Sequence, residues 1–155
     1  MKKTLIIGAL CLSLASLTAC GNTNEKSSTE PKQEAKKAKK ETKVTVDSLI
    51  TEFKNAGLQA ENPTDLQQKE FGNTRKEGKR IITPALGEDK GGRIFEFKNK
   101  EDLEKAKKYY DDLGNGNQML FSHTYAKGNF LLQMNGEMKD EEFAKYKDVM
   151  NKLVK

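Results

Sequence analysis

The residue with the clearest chemistry is Cys20, preceded by Leu17-Thr18-Ala19. Small residues before a cysteine, at the end of an apolar run, are what a lipoprotein-processing peptidase cuts before. The freed residue then carries diacylglycerol on its sulfur as a thioether. The segments needed to present it are in place. Met1-Lys2-Lys3 is a positive leader, and Thr4 to Leu17 is an apolar run too short and wrongly flanked to stay as a membrane span. Residues 1–19 are therefore predicted to be a lipoprotein signal peptide, with Cys20 as the first mature residue. Two acyl chains, at about 0.8 kcal/mol per buried CH2, would hold the mature chain stably to a bilayer. The expected location is the extracytoplasmic face of the cell membrane.

Other chemistry-bearing residues are sparse. His123 is the only histidine and could act as a general base or a ligand, but its neighbour Ser122 would point to the opposite face of a strand. Alternation with Met119, Phe121 and Tyr125 makes His123 a partly buried polar residue on a sheet face. The loop Gly87-Glu88-Asp89-Lys90-Gly91-Gly92 could bring backbone close to a ligand, yet it lacks the Gly-Lys-Ser/Thr ending of a phosphate loop. Its paired glycines are read as a bulged, left-handed entry into the following strand. Gly87, Glu88, Asp89, Gly91, Gly92 and Arg93, with His123 and Tyr125, are the candidate ligand or partner surface.

Metal chemistry has little support, because Cys11 leaves with the signal and Cys20 is consumed by acylation. Asp111-Asp112 and Asp140-Glu141-Glu142 lie at helix ends without the spacing of a calcium loop. Arg75, Lys76, Lys79 and Arg80 form a small basic patch diluted by Glu70 and Glu77, and Phe121, Tyr125, Phe130, Tyr109 and Tyr110 could line a groove. No cofactor is expected.

The elements that must position these residues follow from pattern. Of the formal charge of +5, Lys2 and Lys3 carry two units, and residues 21–43 carry three, from seven Lys and four Glu; from Val44 onward the charges cancel. The basic balance therefore belongs to signal and tether, and nucleic-acid binding by the folded part has no support. Residues 20–43 are the lipidated cysteine and a disordered Lys/Glu-rich tether, spanning roughly 25 to 30 Å as a flexible coil. Its lysines could also touch anionic lipid or wall polymers. With no disulfide available, the domain at 44–155 must be held by its core alone.

Within that domain Thr45 caps a first helix with Leu49, Ile50, Phe53 and Ala56 on one face, ended by Gly57. Leu58 to Glu61 leaves as a short extended piece, and Asn62-Pro63-Thr64-Asp65 is predicted to be a turn that could cap one helical turn through Gln68. Residues from Phe71 to Gly92 are predicted to be irregular, with one strand-like run from Arg80 to Thr83. Then come a strand from Gly92 to Lys98, a helix capped by Asn99 and ended by Gly114, and strands Gln118 to Tyr125 and Asn129 to Asn135 around a Lys127-Gly128 turn. The apolar Phe130-Leu131-Leu132-Gln133-Met134 suggests a strand covered on both faces. A last helix from about Asp140 to Val154 buries Phe143, Tyr146, Met150 and Leu153. The expected fold is α+β: a mostly antiparallel sheet of four to five strands packed with three helices.

The succession Glu70-Phe71-Gly72, Gly87-Glu88-Asp89-Lys90-Gly91-Gly92-Arg93-Ile94-Phe95, Lys108-Tyr109-Tyr110-Asp111-Asp112-Leu113-Gly114 and Leu131-Leu132-Gln133-Met134-Asn135-Gly136 resembles small exported lipoproteins of Gram-positive bacteria. That group has no assigned activity and is sometimes loosely labelled as stress proteins. The resemblance implies the location and the domain boundaries and carries over no catalytic residue. The expected function is a binding module in the cell envelope that meets an envelope protein, a polymer or a small ligand. The alternatives are an envelope hydrolase using His123 with Glu88 or Asp89, and a protective or exclusion lipoprotein encoded on a mobile element.

Overall fold

In the computed structural model, which describes residues 43–155, the chain enters its fold through a capped helix, α1 (Val46–Asn55). The expected signal peptide, Cys20 and all of the expected tether except Lys43 lie outside the described residues. Thr45 Oγ1 accepts from the Ser48 amide at 3.1 Å, and Ser48 Oγ accepts from the Thr45 amide at 2.8 Å, which closes a capping box. Gly57, at φ 75°, turns the chain out. The Leu58 amide then donates to the Phe53 carbonyl at 2.9 Å and the Gly57 amide to the Lys54 carbonyl at 2.9 Å. This is the Schellman geometry the glycine predicted, with Leu58 buried beside it.

Five strands follow: β1 (Glu61–Asp65), β2 (Arg75–Ile82), β3 (Gly91–Phe97), β4 (Ser122–Lys127) and β5 (Phe130–Asn135). Helix α2 (Lys100–Gly116) lies between β3 and β4, and α3 (Asp140–Leu153) closes the chain. The sheet runs β1-β2-β3-β5-β4, every pair antiparallel, and the α+β class holds. Side chains alternate across it. On one face Ile81, Ile94, Leu132 and Met134 meet Leu49 and Phe53 of α1 and Tyr146 and Met150 of α3. On the other, Phe95, Phe97 and Leu131 meet Leu103 and Ala106 of α2. β5 is buried almost throughout, as its apolar run predicted.

Three local expectations are corrected. The segment Asn62-Pro63-Thr64-Asp65 is not a turn or a helical start but part of β1. A strand can hold Pro63 there because β1 is an edge, exposed along most of its length, and its register shifts between Glu61 and Thr64 with Asn62 at φ 46°. The stretch expected to be irregular contains the eight residues of β2, whose charged side chains find partners on flanking strands. Lys79 reaches Asp65 at 2.6 Å and Lys76 reaches the buried Glu96 at 2.9 Å. Gly91 and Gly92 form neither a bulge nor a left-handed entry: both lie in regular register within β3, opposite Ile82 and Ile81. Their missing side chains serve close approach, since a Cβ on Gly92 would collide with Met134 Sδ and the Gln133 carbonyl. The left-handed backbone sits earlier, at Gly87 and Asp89.

Two shifts are smaller. Helix α2 runs past Gly114 to Gly116, and Gly114 instead lets Phe121 lie against the helix, where a Cβ would sit 3.2 Å from the Phe121 Cα. The fourth strand begins at Ser122, because Gln118–Leu120 forms a 3-10 turn that leaves Met119 92% exposed.

Candidate functional site

His123 is placed by β4 on the face that carries α1 and α3, opposite Met134. Its ring is 9% exposed, stacked on Phe143 at 4.9 Å and edge-on to Phe121 at 5.0 Å. Nε2 lies 2.7 Å from the Met138 carbonyl oxygen, which can only accept, so this nitrogen carries the proton. Nδ1 lies 3.5 Å from the Asp140 carboxylate at the start of α3. These contacts fasten β4 to the segment leading into α3. Ser122 Oγ is buried on the opposite side without a hydrogen-bond partner, so the two residues do not form a nucleophile and base.

The glycine-rich loop lies elsewhere. His123 and Gly92 flank Met134 from opposite neighbouring strands, two strand spacings or about 10 Å apart, with the Met134 side chain between them. Glu88 and Asp89 are exposed, and their carboxylates make no hydrogen bond or ion pair among the described residues. Asp89 takes part through its carbonyl, which accepts from Arg80. Gly87 ends the short 3-10 turn Pro84–Leu86. A shallow polar pit of about 180 Å³ is lined by Arg80, Asp89, Lys90, Gly91, Gly92, Arg93, Gln133 and Asn135. His123 does not line it. Tyr125 stands apart from both, its hydroxyl donating to Asn151 of α3 at 2.5 Å. Thus the eight residues expected to share one surface are divided between the β2–β3 loop, which holds Gly87, Glu88 and Asp89, and the two faces of the sheet.

Arg93 links the pit to a larger cleft that the sequence only partly signalled. On the α2 side the sheet is roofed unevenly. Helix α2 lies over β4 and β5, where Asp111 accepts from Thr124 Oγ1 at 2.6 Å. The segment between β1 and β2 covers β3 from the other flank. Between these two roofs a cleft of about 450 Å³ opens, lined by Lys69, Glu70, Phe71, Arg93, Tyr109, Tyr110 and Leu113. That volume falls within the roughly 300 to 1,000 Å³ of small-ligand sites.

Each wall is held in position. Arg75 of β2 donates to the carbonyls of Leu66, Gln67 and Glu70, and so fastens the β1–β2 segment from below. Phe71, in left-handed backbone at φ 60°, turns its ring inward. That ring meets Phe95 at 5.8 Å, Phe97 at 6.0 Å, Tyr109 at 5.7 Å and Tyr110 at 6.1 Å, in edge-to-face arrangements worth about 0.5 to 1.5 kcal/mol each beyond area burial. A left-handed aromatic costs about 1 to 3 kcal/mol and persists only where its surroundings over-determine it, and this ring cluster does so.

The floor is an ionic network. Glu70 Oε1 accepts from Arg93 Nε at 2.8 Å, and Oε2 accepts from the Gln67 amide at 3.0 Å. Arg93 Nη1 donates to Gln133 Oε1 at 3.2 Å. Burial pushes the Glu70 carboxyl up, but the hydrogen bonds from Arg93 and the Gln67 amide outweigh it and hold the group below the usual carboxylate range. Burial pushes the Tyr110 phenol up to about 12, so it stays protonated at neutral pH. Among the described residues the Tyr109 and Tyr110 hydroxyls and Arg93 Nη2 have no hydrogen-bond partner.

Of the cleft residues, Arg93, Tyr109 and Tyr110 were singled out in the sequence, the tyrosines as groove candidates. Glu70, Phe71 and Gln133 were not. Gln133 carried a usable signal as the one polar residue inside an apolar strand. Glu70 and Phe71 carried none, because their role depends on a segment folding back over β3. Among the described residues no helix is long and apolar enough to cross a membrane, and no cluster of three or more His, Cys, Asp or Glu is placed to hold a metal ion. Comparison with known protein families, curated proteins and solved structures found no match to this chain.

Proposed function

We propose that this chain is a membrane-anchored lipoprotein of the cell envelope, moored by diacylglycerol on Cys20 outside the cytoplasm, and that its domain works by binding. The reading includes membership in the group of small exported Gram-positive lipoproteins that the sequence resembles. The observation that supports it best is the cleft between the β1–β2 segment and α2. Its aromatic walls and ion-paired floor are braced before any ligand arrives, and preorganisation of this kind lowers the cost of binding. The tether lets the domain stand clear of the headgroups and present this face to envelope components.

Two measurements test the proposal. Mass spectrometry of the cellular protein should find diacylglycerol on Cys20, and a Cys20→Ala chain should leave the membrane fraction. An unmodified Cys20, or wild-type protein in the cytosol, removes the anchored reading. For the binding role, the full chain should retain an envelope component that a Tyr109→Ala, Arg93→Ala double variant no longer retains. Equal retention by both chains would place binding outside the cleft.

A further inference from the structure

We infer that the cleft takes an uncharged pyranose chain, an envelope glycan segment whose ring faces lie on the aromatic walls and whose hydroxyls meet the floor. The inference rests on the binding role proposed above and names its ligand class. Three observations lead to it.

The floor is electrically balanced. Glu70 already neutralises Arg93 at 2.8 Å while Gln133 occupies a second guanidinium nitrogen. Lys69, the other cation lining the cleft, is a solvent-exposed side chain that takes no part in this network. An anionic ligand drawn to Arg93 would meet the Glu70 carboxylate beside it, which is fixed from both oxygens and cannot swing away. A neutral polyol would not be repelled by it. It can add to the network as it stands.

The unfilled hydrogen-bonding capacity is of the mixed kind that hydroxyl groups satisfy. Arg93 Nη2 still has donors to offer. The Tyr110 phenol, kept protonated, can donate and accept, and each Glu70 oxygen retains a lone pair. Donors and acceptors lining one cleft suit vicinal hydroxyls, each of which is both. A purely anionic ligand would leave the acceptors facing its own charge, and a purely apolar one would strand them all.

The walls supply apolar faces without closing the site. Tyr109 is 52% exposed, held edge-on by Phe71 and by Tyr110 at 5.4 Å, so an aromatic surface is kept at the lip with its orientation set from behind. The aliphatic face of a pyranose ring is flat and carries C–H groups that fit such a surface. The cleft is also open rather than enclosed, and the polar pit continues its floor past Arg93 toward Arg80 and Asn135. That continuity accommodates a chain of rings.

The test uses the full chain in zwitterionic micelles, with tyrosine ring signals followed by NMR during titration with N-acetylated chitotriose and, separately, maltotriose. The expected result is saturable shifts of Tyr109 and Tyr110 with at least one of the two sugars, at a Kd of about 1 mM or tighter. Tyr109→Ala and Glu70→Gln should each weaken that binding by about tenfold with the chain still folded by circular dichroism. No saturable shift with either sugar, or binding indifferent to both substitutions, overturns the inference. So does inorganic phosphate shifting the same signals more tightly than the sugars, which would mark an anion site. If the sugars fail while retention of an envelope component still depends on Tyr109 and Arg93, the glycan assignment falls and the binding role stands.

Discussion

The two faces of the sheet are built to different standards of closure. Toward α1 and α3 the packing is continuous: Val46, Leu49, Phe53, Ile94, Leu132, Met134, Tyr146 and Met150 are fully buried. Phe53 and Tyr146 meet edge-on at 5.0 Å, and the Tyr146 hydroxyl donates to the Gln59 carbonyl at 2.7 Å, so the polar atom of that ring is satisfied. Toward α2 only Phe95, Phe97, Leu131 and Ala106 are fully buried, and the rings beside them grade outward through Phe71 and Tyr110 to the exposed Tyr109. One helix cannot roof five strands. The difference teaches a division of labour: the doubly covered face supplies most of the stability, and the half-covered one leaves polar and aromatic groups available.

That division can be broken or sharpened by substitution. The largest effect belongs to the closed face. Phe53→Ala removes a fully buried ring and should cost about 3 to 5 kcal/mol, seen as a drop in the urea midpoint, a large share of a typical domain's stability. On the other face Phe71→Ala removes a half-buried ring and leaves the left-handed backbone, so its cost should be about half as large. It should also loosen Tyr109 and Tyr110, visible as sharpening and averaging of their ring signals. If Phe71→Ala destabilises as much as Phe53→Ala, the faces are not different in kind.

The acid response sharpens the contrast further. Glu70 titrates below its ordinary value of 4.5, so the unfolded chain binds its proton first as pH falls. Its contribution to stability is fully present above the unfolded value and is lost as pH falls through the lower folded one. Asp111, also held low despite burial by its Lys107 and Thr124 hydrogen bonds, acts in the same direction at the α2 side. A Glu70→Gln chain should therefore lose less stability than the wild type between about pH 5 and pH 3 in urea titrations. An identical slope for the two chains would mean that the Glu70–Arg93 pair adds nothing to the fold. The smallest effect is expected for Tyr109→Ala, a half-exposed ring that meets only Phe71 and Tyr110 edge-on, where stability should fall by about 1 kcal/mol. A large loss there would make Tyr109 structural and remove it as a ligand-facing wall.

The sequence was most legible where the signal and the structure it specifies lie within a few residues. Thr45 and Ser48, Gly57, Asn99 with Asp102, and Gly128 at the β4–β5 turn each act on backbone within one helical turn or one hairpin. It was least legible along β1 and β2. Their polar side chains carry no alternating apolar pattern, and Asn62-Pro63 reads locally as a turn.

What the sequence determined by itself is the α+β class, the three helices with the N-caps of the first two, the aromatic hairpin strand that must be buried, and a net positive charge that comes from residues 1–43. Local propensity and apolar periodicity suffice for these, because each is decided by neighbours in the chain. Only the tertiary structure decided that a charged segment becomes β2, that Gly91 and Gly92 serve strand contact, that His123 is a fastening, and that Glu70, Arg93, Tyr110 and Gln133 meet. Those four come from a loop, two strands and a helix. Their meeting depends on which strands pair and on where one helix stops covering the sheet, which are properties of the whole packing.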